Sequence, residues 1–389
     1  MPIDFDFWQL LLIPVFFGLG WLAARIDIKQ LVHESRALPR SYFKGLNFLL
    51  NEEPDKAIEA FTEVVKVDPQ TIELHFALGS LFRRRGELER AIRIHQGLLE
   101  RETLPPELRL QAISAIGKDY LRAGLLDRAE ETFHQLMGTA RETEAKRNLL
   151  TIYQAEKEWR KAIDVARELP DFATQKEVSH FYCELATTAL NQSKPEEART
   201  LLESALLAHR QSTRASSLLG DMHVQLGDWP KAVEAWQRIE QQNPAYLSIV
   251  SQRLLEAFRR MEREAEGMQL LRGYLTAYPS LDLLDTVFNL VMELEGVEAA
   301  LVLVKDELRR NPTLLGLDKL LETQLVMAPP ERRSDLELVK SIIHGQTRRL
   351  ARYRCEACGF KARQFYWRCP ACGGWETYPP RRSEEFDQG

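Results

Sequence analysis

The sequence predicts a mainly α-helical chain in three parts: a single N-terminal membrane-spanning helix, a long solenoid of stacked helical pairs, and a small ribbon built on four cysteines. Three observations carry this. Eighteen residues from Phe7 to Ala24 contain no charge, small and aromatic positions recur every 33 to 38 residues from Gly45 onward, and two knuckles, Cys355-Glu-Ala-Cys358-Gly359 and Cys369-Pro-Ala-Cys372-Gly373, close the chain. The expected segments are an anchor over 1–24, a juxtamembrane linker over 25–40, the array over 41–327, a loop and connecting helix over 328–350, the ribbon over 351–378 and a disordered tail over 379–389.

The uncharged run has Trp8 and Trp21 near its ends and one polar interruption, Gln9. As a helix at about 1.5 Å per residue it reaches roughly 27 Å, close to the thickness of a bilayer core. A cleaved signal peptide is the competing reading, but such a peptide begins with basic residues, whereas this chain begins with Asp4 and Asp6 and no convincing small-x-small cleavage site follows the run. Arg25, Lys29, Arg36, Arg40 and Lys44 all follow the run, so the bulk of the chain is expected on the cytoplasmic side and the N-terminus in the periplasm. Gly18-Leu-Gly20 resembles half of a dinucleotide fingerprint but lies inside the apolar run, without the strand that such a site needs.

In the middle, Gly45, Phe48, Ala57, Phe61 and Pro69 set a pattern that returns at Gly79, Phe82 and Ala91, at Gly117, Tyr120, Ala129 and Phe133, and at Gly220, His223, Ala232, Trp236 and Pro244. The alanine slot recurs at 57, 91, 129, 162, 198, 232 and 300, with Gly267 between the last two. Small residues let two antiparallel helices touch and proline ends the second, the logic of the tetratricopeptide repeat. About eight pairs then form one solenoid whose product is a surface rather than a catalytic centre. Arg83, Arg84, Lys118, Arg122 and Arg147 fall where the register faces the groove, a candidate partner-binding stripe for acidic segments because arginine offers a forked donor to carboxylates. The plainer alternative is a solvated charged face.

The knuckles place two thiolates on each of two tight turns. On the reducing side of a membrane this means metal rather than disulfides, and four sulfurs with no open position suit a structural zinc or a single iron in a rubredoxin-type site. Cys355, Cys358, Cys369 and Cys372 are the expected ligands. Phe360, Phe365, Tyr366, Trp367, Trp375 and Tyr378 are expected to form the miniature core of this small module. Cys183, three residues after His180, reads as helix packing.

Residues 345–389 hold nine Arg or Lys against five acids, a local +4 in a chain of net charge −5. Basic aromatic ribbons often bind nucleic acid, which makes RNA or DNA binding a rival reading, but a membrane tether argues against it. Acidic protein helices, the array itself or anionic membrane lipid could equally meet Arg348, Arg349, Arg352 and Arg354, and the ribbon is expected to dock on the array. G-x-x-x-x-G-K-[ST], H-E-x-x-H and G-x-S-x-G are all absent, so an enzyme reading has no anchor.

The order of parts, together with Tyr42-Phe-Lys-Gly-Leu-Asn-Phe-Leu-Leu-Asn-Glu-Glu-Pro-Asp-Lys-Ala57 and the Cys355 to Trp375 ribbon, resembles the lipopolysaccharide assembly protein B family of Gram-negative bacteria. That resemblance implies an inner-membrane, non-enzymatic adaptor through which the membrane protease FtsH degrades the deacetylase LpxC. It also implies contact with an inner-membrane regulator that senses lipopolysaccharide, and a scaffold role linking lipopolysaccharide synthesis enzymes with export proteins. A homo-oligomer is compatible with it.

Overall fold

The computed structural model describes Trp21 and residues 40–386, apart from positions 52, 68–70, 170–171 and 351. The expected anchor, Trp21 aside, and almost all of the linker lie outside the described residues. No described helix is long and apolar enough to cross a membrane. Contacts divide the chain into two compact units, 1–152 and 153–389, taken here in turn.

The first unit carries α1 (Arg40–Leu50), α2 (Pro54–Val67), α3 (Ile72–Arg85), α4 (Leu88–Leu99), α5 (Pro106–Arg122), α6 (Leu126–His134) and most of α7 (Glu142–Glu156). The repeat pattern works as steric accounting. A Cβ added at Gly45 would fall 2.5 Å from the Phe61 ring, and one at Gly117 2.8 Å from Phe133, so only glycine lets these helices touch. Ala57, Ala91 and Ala129, on the opposing helices, are fully buried. Gly86 ends α3 in the left-handed region, at φ 88°, where its amide reaches the Arg83 carbonyl.

The second unit continues with α8 (Trp159–Arg167), α9 (Phe172–Asn191), α10 (Pro195–Ala208), α11 (Thr213–Gln225), α12 (Trp229–Gln242), α13 (Leu247–Arg260), α14 (Glu264–Ala277), α15 (Leu281–Leu294) and α16 (Val297–Arg310). Within this unit α9 to α16 form four successive pairs. α17 (Leu314–Met327) and α18 (Pro330–Leu350) add a closing pair. Side chains of Ser212, Asp228, Ser280 and Thr313 accept amide hydrogen bonds at the starts of α11, α12, α15 and α17. One apolar core runs from Trp236 on α12 through Leu254, Leu271 and Phe288 to Val304 on α16. Trp236 is buried against Gly220 and donates its indole N–H to the Ser217 carbonyl at 3.0 Å.

The ribbon pairs β1 (Tyr353–Arg354) with β2 (Lys361–Ala362), antiparallel, Tyr353 opposite Ala362. The tail corrects an expectation. The sequence predicts disorder over 379–389, yet the tail is ordered through α19 (Ser383–Phe386), with Ser383 and Glu384 buried. The cause is a set of helix-start amides that the Ser280 and Thr313 caps leave over. Glu384 accepts from the amides of Leu314 and Leu315 at the head of α17, and Glu385 accepts from the Leu281 amide at the head of α15. A carboxylate there satisfies orphan donors and meets the positive end of the helix dipole.

Candidate metal centre and its seam with the helical array

Both knuckles repeat one backbone pattern. In the first, the Gly359 amide donates to the Cys355 carbonyl and the Cys355 amide to the Phe360 carbonyl, each at 2.9 Å; in the second, Gly373 donates to Cys369 and Cys369 to Gly374, again at 2.9 Å. Gly359 and Gly373 take φ of 75° and 72°, a turn that glycine adopts without strain. The two turns face each other and bring four sulfurs together.

The Sγ atoms of Cys355 and Cys372 lie 3.8 Å apart, those of Cys358 and Cys369 3.7 Å, and all four fall within 4.8 Å. A tetrahedron with metal–sulfur bonds of about 2.3 Å has edges of about 3.8 Å, so the four sulfurs fit a closed four-thiolate metal site. Cys355 and Cys369 are buried, whereas Cys358 and Cys372 face solvent. Burial opposes ionisation of Cys355, but the Thr377 hydroxyl and the amides of Cys358 and Ala357 outweigh it and hold the thiol down to about 6. At Cys358 the Phe360 amide favours the thiolate, but burial and the three neighbouring sulfurs prevail and push it up to about 12. Four thiolates at this spacing would repel one another unless a cation lay among them.

The aromatic residues divide two ways, which corrects the single miniature core expected from the sequence. Tyr378 is fully buried, its hydroxyl accepting from the Ala362 amide at 2.8 Å and donating to the Tyr353 carbonyl at 3.1 Å, with Phe365 and Tyr366 against its ring. Trp367 and Trp375 instead face the array. Trp367 stacks on Tyr246 with ring centroids 5.1 Å apart, and Trp375 stacks on His180 at 4.7 Å, edge-on to Trp159 and Phe181. Arg214 of α11 and Arg368 of the ribbon hold their guanidinium groups over the Trp375 ring, at 5.4 and 5.3 Å.

Polar contacts follow the same seam. Glu376 meets Lys176 Nζ at 2.6 Å and His180 Nε2 at 3.2 Å. Burial works against this carboxylate, but His180 and Lys176 outweigh it and hold it down to about 2. Burial also lowers the pKa of His180, so at neutral pH Lys176 supplies the positive charge. Arg368 donates to the Gln154 carbonyl at 3.3 Å. On α15, Asp282 accepts from the Tyr353 hydroxyl at 2.5 Å and from Arg382 at 2.8 Å. Ligands and seam residues are interleaved along the chain: Tyr353 beside Cys355, Arg368 beside Cys369, Trp375 and Glu376 beyond Cys372. Sequence reasoning missed His180, Lys176, Arg214, Tyr246 and Asp282, because repeat periodicity marks core positions and says nothing of what covers the remaining face. Cys183 is fully buried, its thiol pushed up to about 12 by burial, in accord with helix packing.

The five basic residues proposed for partner binding do not share one role. Arg83 turns inward and donates at 2.8 Å to Asp119, a fully buried carboxylate that His95 Nδ1 also meets at 2.5 Å. Lys118 pairs with Glu144, whose carboxyl is held down to about 2: burial raises it, but Lys118, Ser114 and Arg141 outweigh that. Arg84, Arg122 and Arg147 are exposed.

Comparison with known proteins agrees with these parts. Residues 353–380 match a family model described as a rubredoxin metal binding domain, and residues 44–101 and 183–246 match the tetratricopeptide repeat. The chain is similar to lipopolysaccharide assembly protein B of Escherichia coli strain K12, 38% identical over 378 residues covering 96% of this chain and 97% of that protein. It is also similar to the protein of that name from Haemophilus influenzae, 29% identical over 393 residues, 97% of this chain and 98% of that one. Among solved structures, Naa15/Naa10 bound to HypK-THB matches at 13% identity and a TM-score of 0.40, over 79% of this chain and 53% of that one.

Proposed function

Because the chain belongs to the lipopolysaccharide assembly protein B family, we propose that it is a membrane-anchored cytoplasmic adaptor that limits lipopolysaccharide synthesis by presenting the deacetylase LpxC to the membrane protease FtsH. The observation that carries this is the family match along nearly the whole chain, including the cysteine ribbon. An apolar N-terminal segment confines the protein to the plane of the inner membrane, which raises its effective concentration near a membrane protease. Exposed Arg84, Arg122 and Arg147 offer a docking stripe for an acidic client segment. The four thiolates would hold one iron or zinc ion. With no open coordination position its contribution is to fold the knuckles, and Tyr353, Arg368, Trp375 and Glu376 are then held in place against the array. The lipopolysaccharide-sensing regulator and the export proteins belong to the same reading as further partners.

The test is the half-life of LpxC after protein synthesis is stopped, in cells with the intact chain, without it, and with Cys355→Ser and Cys358→Ser together. Loss of the chain should lengthen the half-life, and the double variant should behave like the loss. An unchanged half-life in all three would replace the adaptor by a scaffold that gathers synthesis enzymes without directing proteolysis.

A further inference from the structure

The outer face of the ribbon carries charge that its fold leaves unbalanced. In the two-stranded ladder Tyr353 and Ala362 form the rung that meets Tyr378, and the next rung sets Arg354 directly opposite Lys361. Side chains alternate along a strand, so Arg352 and Arg363, one step to the other side of the Tyr353 rung, fall on the same face as Arg354 and Lys361. Arg354, Lys361 and Arg363 are exposed and Arg352 is half-buried. Like charges directly opposite one another weaken a ladder, and this one is only two residues long on each strand.

The array balances such charges, but this face does not. In the array Arg253 meets Asp221, Arg259 meets Glu293 and Lys319 meets Asp285. Positions 352–378 hold five basic residues and two acids. Arg368 is engaged on the seam with Gln154, and Glu376 with Lys176 and His180. That leaves four positive charges on one face with Glu356 as the ribbon's remaining acid, and among the described residues none of the four has an ion-pair partner.

We propose that this face docks an acidic segment of a partner protein, with Arg354 and Lys361 at its centre and Arg352 and Arg363 beside them. The two basic pairs lie two residues apart along the strands, about 6.6 Å. Carboxylates on alternate residues of an extended segment have the same spacing, so Asp or Glu at i and i+2 meets both pairs. Three of the four basic residues are arginine, whose fork grips both oxygens of a carboxylate; a lipid surface attracts charge without requiring that fork. Single-stranded nucleic acid binds where basic residues are interleaved with rings on which bases stack. Here Trp367 and Trp375 are turned onto Tyr246 and His180, and Phe360 leans toward Tyr378.

The experiment uses the full chain in detergent at low salt, with Arg84, Arg122 and Arg147 replaced by serine so that only the ribbon is read. The probe is a fluorescein-labelled Glu-Ser-Glu-Ser-Glu peptide, followed by anisotropy. Binding is expected with a Kd on the order of 100 µM, and Arg354→Glu or Lys361→Glu should each weaken it by about tenfold or more. The same substitutions turn a repulsive rung into an ion pair, so the thermal midpoint should hold or rise by about a degree or two, with metal content unchanged. A lowered midpoint or lost metal in both variants would assign these charges to the cysteine cluster and overturn the proposal. So would a peptide affinity indifferent to Arg354 and Lys361. Displacement by phosphatidylglycerol in mixed micelles, or by oligothymidylate, that depends on Arg354 and exceeds displacement by unlabelled peptide would give the face to lipid or nucleic acid and overturn it as well.

Discussion

Replacing Trp375 by alanine tests whether the ribbon is held on the array in solution. Trp375 is 9% exposed, stacked on His180, edge-on to Trp159 and Phe181, and covered by Arg214 and Arg368. Truncating a buried aromatic of this kind costs about 3–5 kcal/mol, counting lost transfer energy and the cavity left behind. The ribbon keeps its other attachments, Trp367 on Tyr246 and Tyr353 on Asp282, so the expected loss is the local one, about 3 kcal/mol. For a unit of this size each kcal/mol lowers the midpoint by roughly 2–4 °C, giving a fall of about 6–12 °C. Urea denaturation followed by circular dichroism, with thermal melting in parallel, measures it. The interleaving of ligands and seam residues adds a second readout: a colorimetric chelator should strip metal from the variant faster than from the parent. A stability loss below about 1 kcal/mol with unchanged metal release would mean that the seam is not held in solution, and the account of the ribbon as part of the array would fail.

Other outcomes follow from the same geometry. Gly220→Ala drives a Cβ into the buried Trp236 ring and should cost about 1–3 kcal/mol or more in urea denaturation. Glu376 has a carboxyl depressed from its ordinary value to about 2. Its contribution is present above about pH 4.5 and lost as pH falls toward 2, so Glu376→Gln should flatten that part of the stability–pH curve, a span of about 2 kcal/mol after allowing for a neutral His180. Removing residues 382–389 leaves the Ser280 and Thr313 caps but takes the carboxylates of Glu384 and Glu385 from the first amides of α17 and α15, which should cost about 1 kcal/mol at each helix, together with faster amide exchange at Leu281, Leu314 and Leu315. Replacing Cys355 and Cys358 by serine should abolish stoichiometric metal in elemental analysis and make the ribbon the first site of limited proteolysis.

The array was legible because its signal is steric. Gly45 and Gly117 are required by the rings of Phe61 and Phe133, as Gly79 and Gly220 are by His95 and Trp236, and a helix–helix contact repeated along the array leaves a period that no single substitution erases. The metal ligands were legible because the knuckle turn demands Cys-x-x-Cys-Gly. Docking of the ribbon on the array was expected, but the residues of the seam were not legible, since an aromatic-rich ribbon has the same composition whether a ring such as Trp375 turns into its own core or outward onto His180. Arg83 failed for a related reason. Register assigns a face, but only the buried Asp119 across from it decides that the guanidinium turns inward. The order of the tail was hidden because composition reports a segment's ability to build its own core, and this one is ordered by two carboxylates that take helix-start amides left over beside the Ser280 and Thr313 caps.

Arg368 and Gln154 hydrogen-bond across 214 positions of sequence, and the ribbon's other contacts with the array span long stretches too, whereas the helices of the array mostly touch their neighbours. Short-range contacts form early and long-range ones late. The helices of the second unit can therefore stack as they are synthesised, but the face that receives Trp367 and Trp375, and the heads of α15 and α17, stay unfilled until the ribbon and tail follow. Closure of this unit thus comes last and rests on having metal at hand. A shortage of metal during synthesis would leave helices that are formed but unsealed, a state that cellular quality control can distinguish from the finished protein.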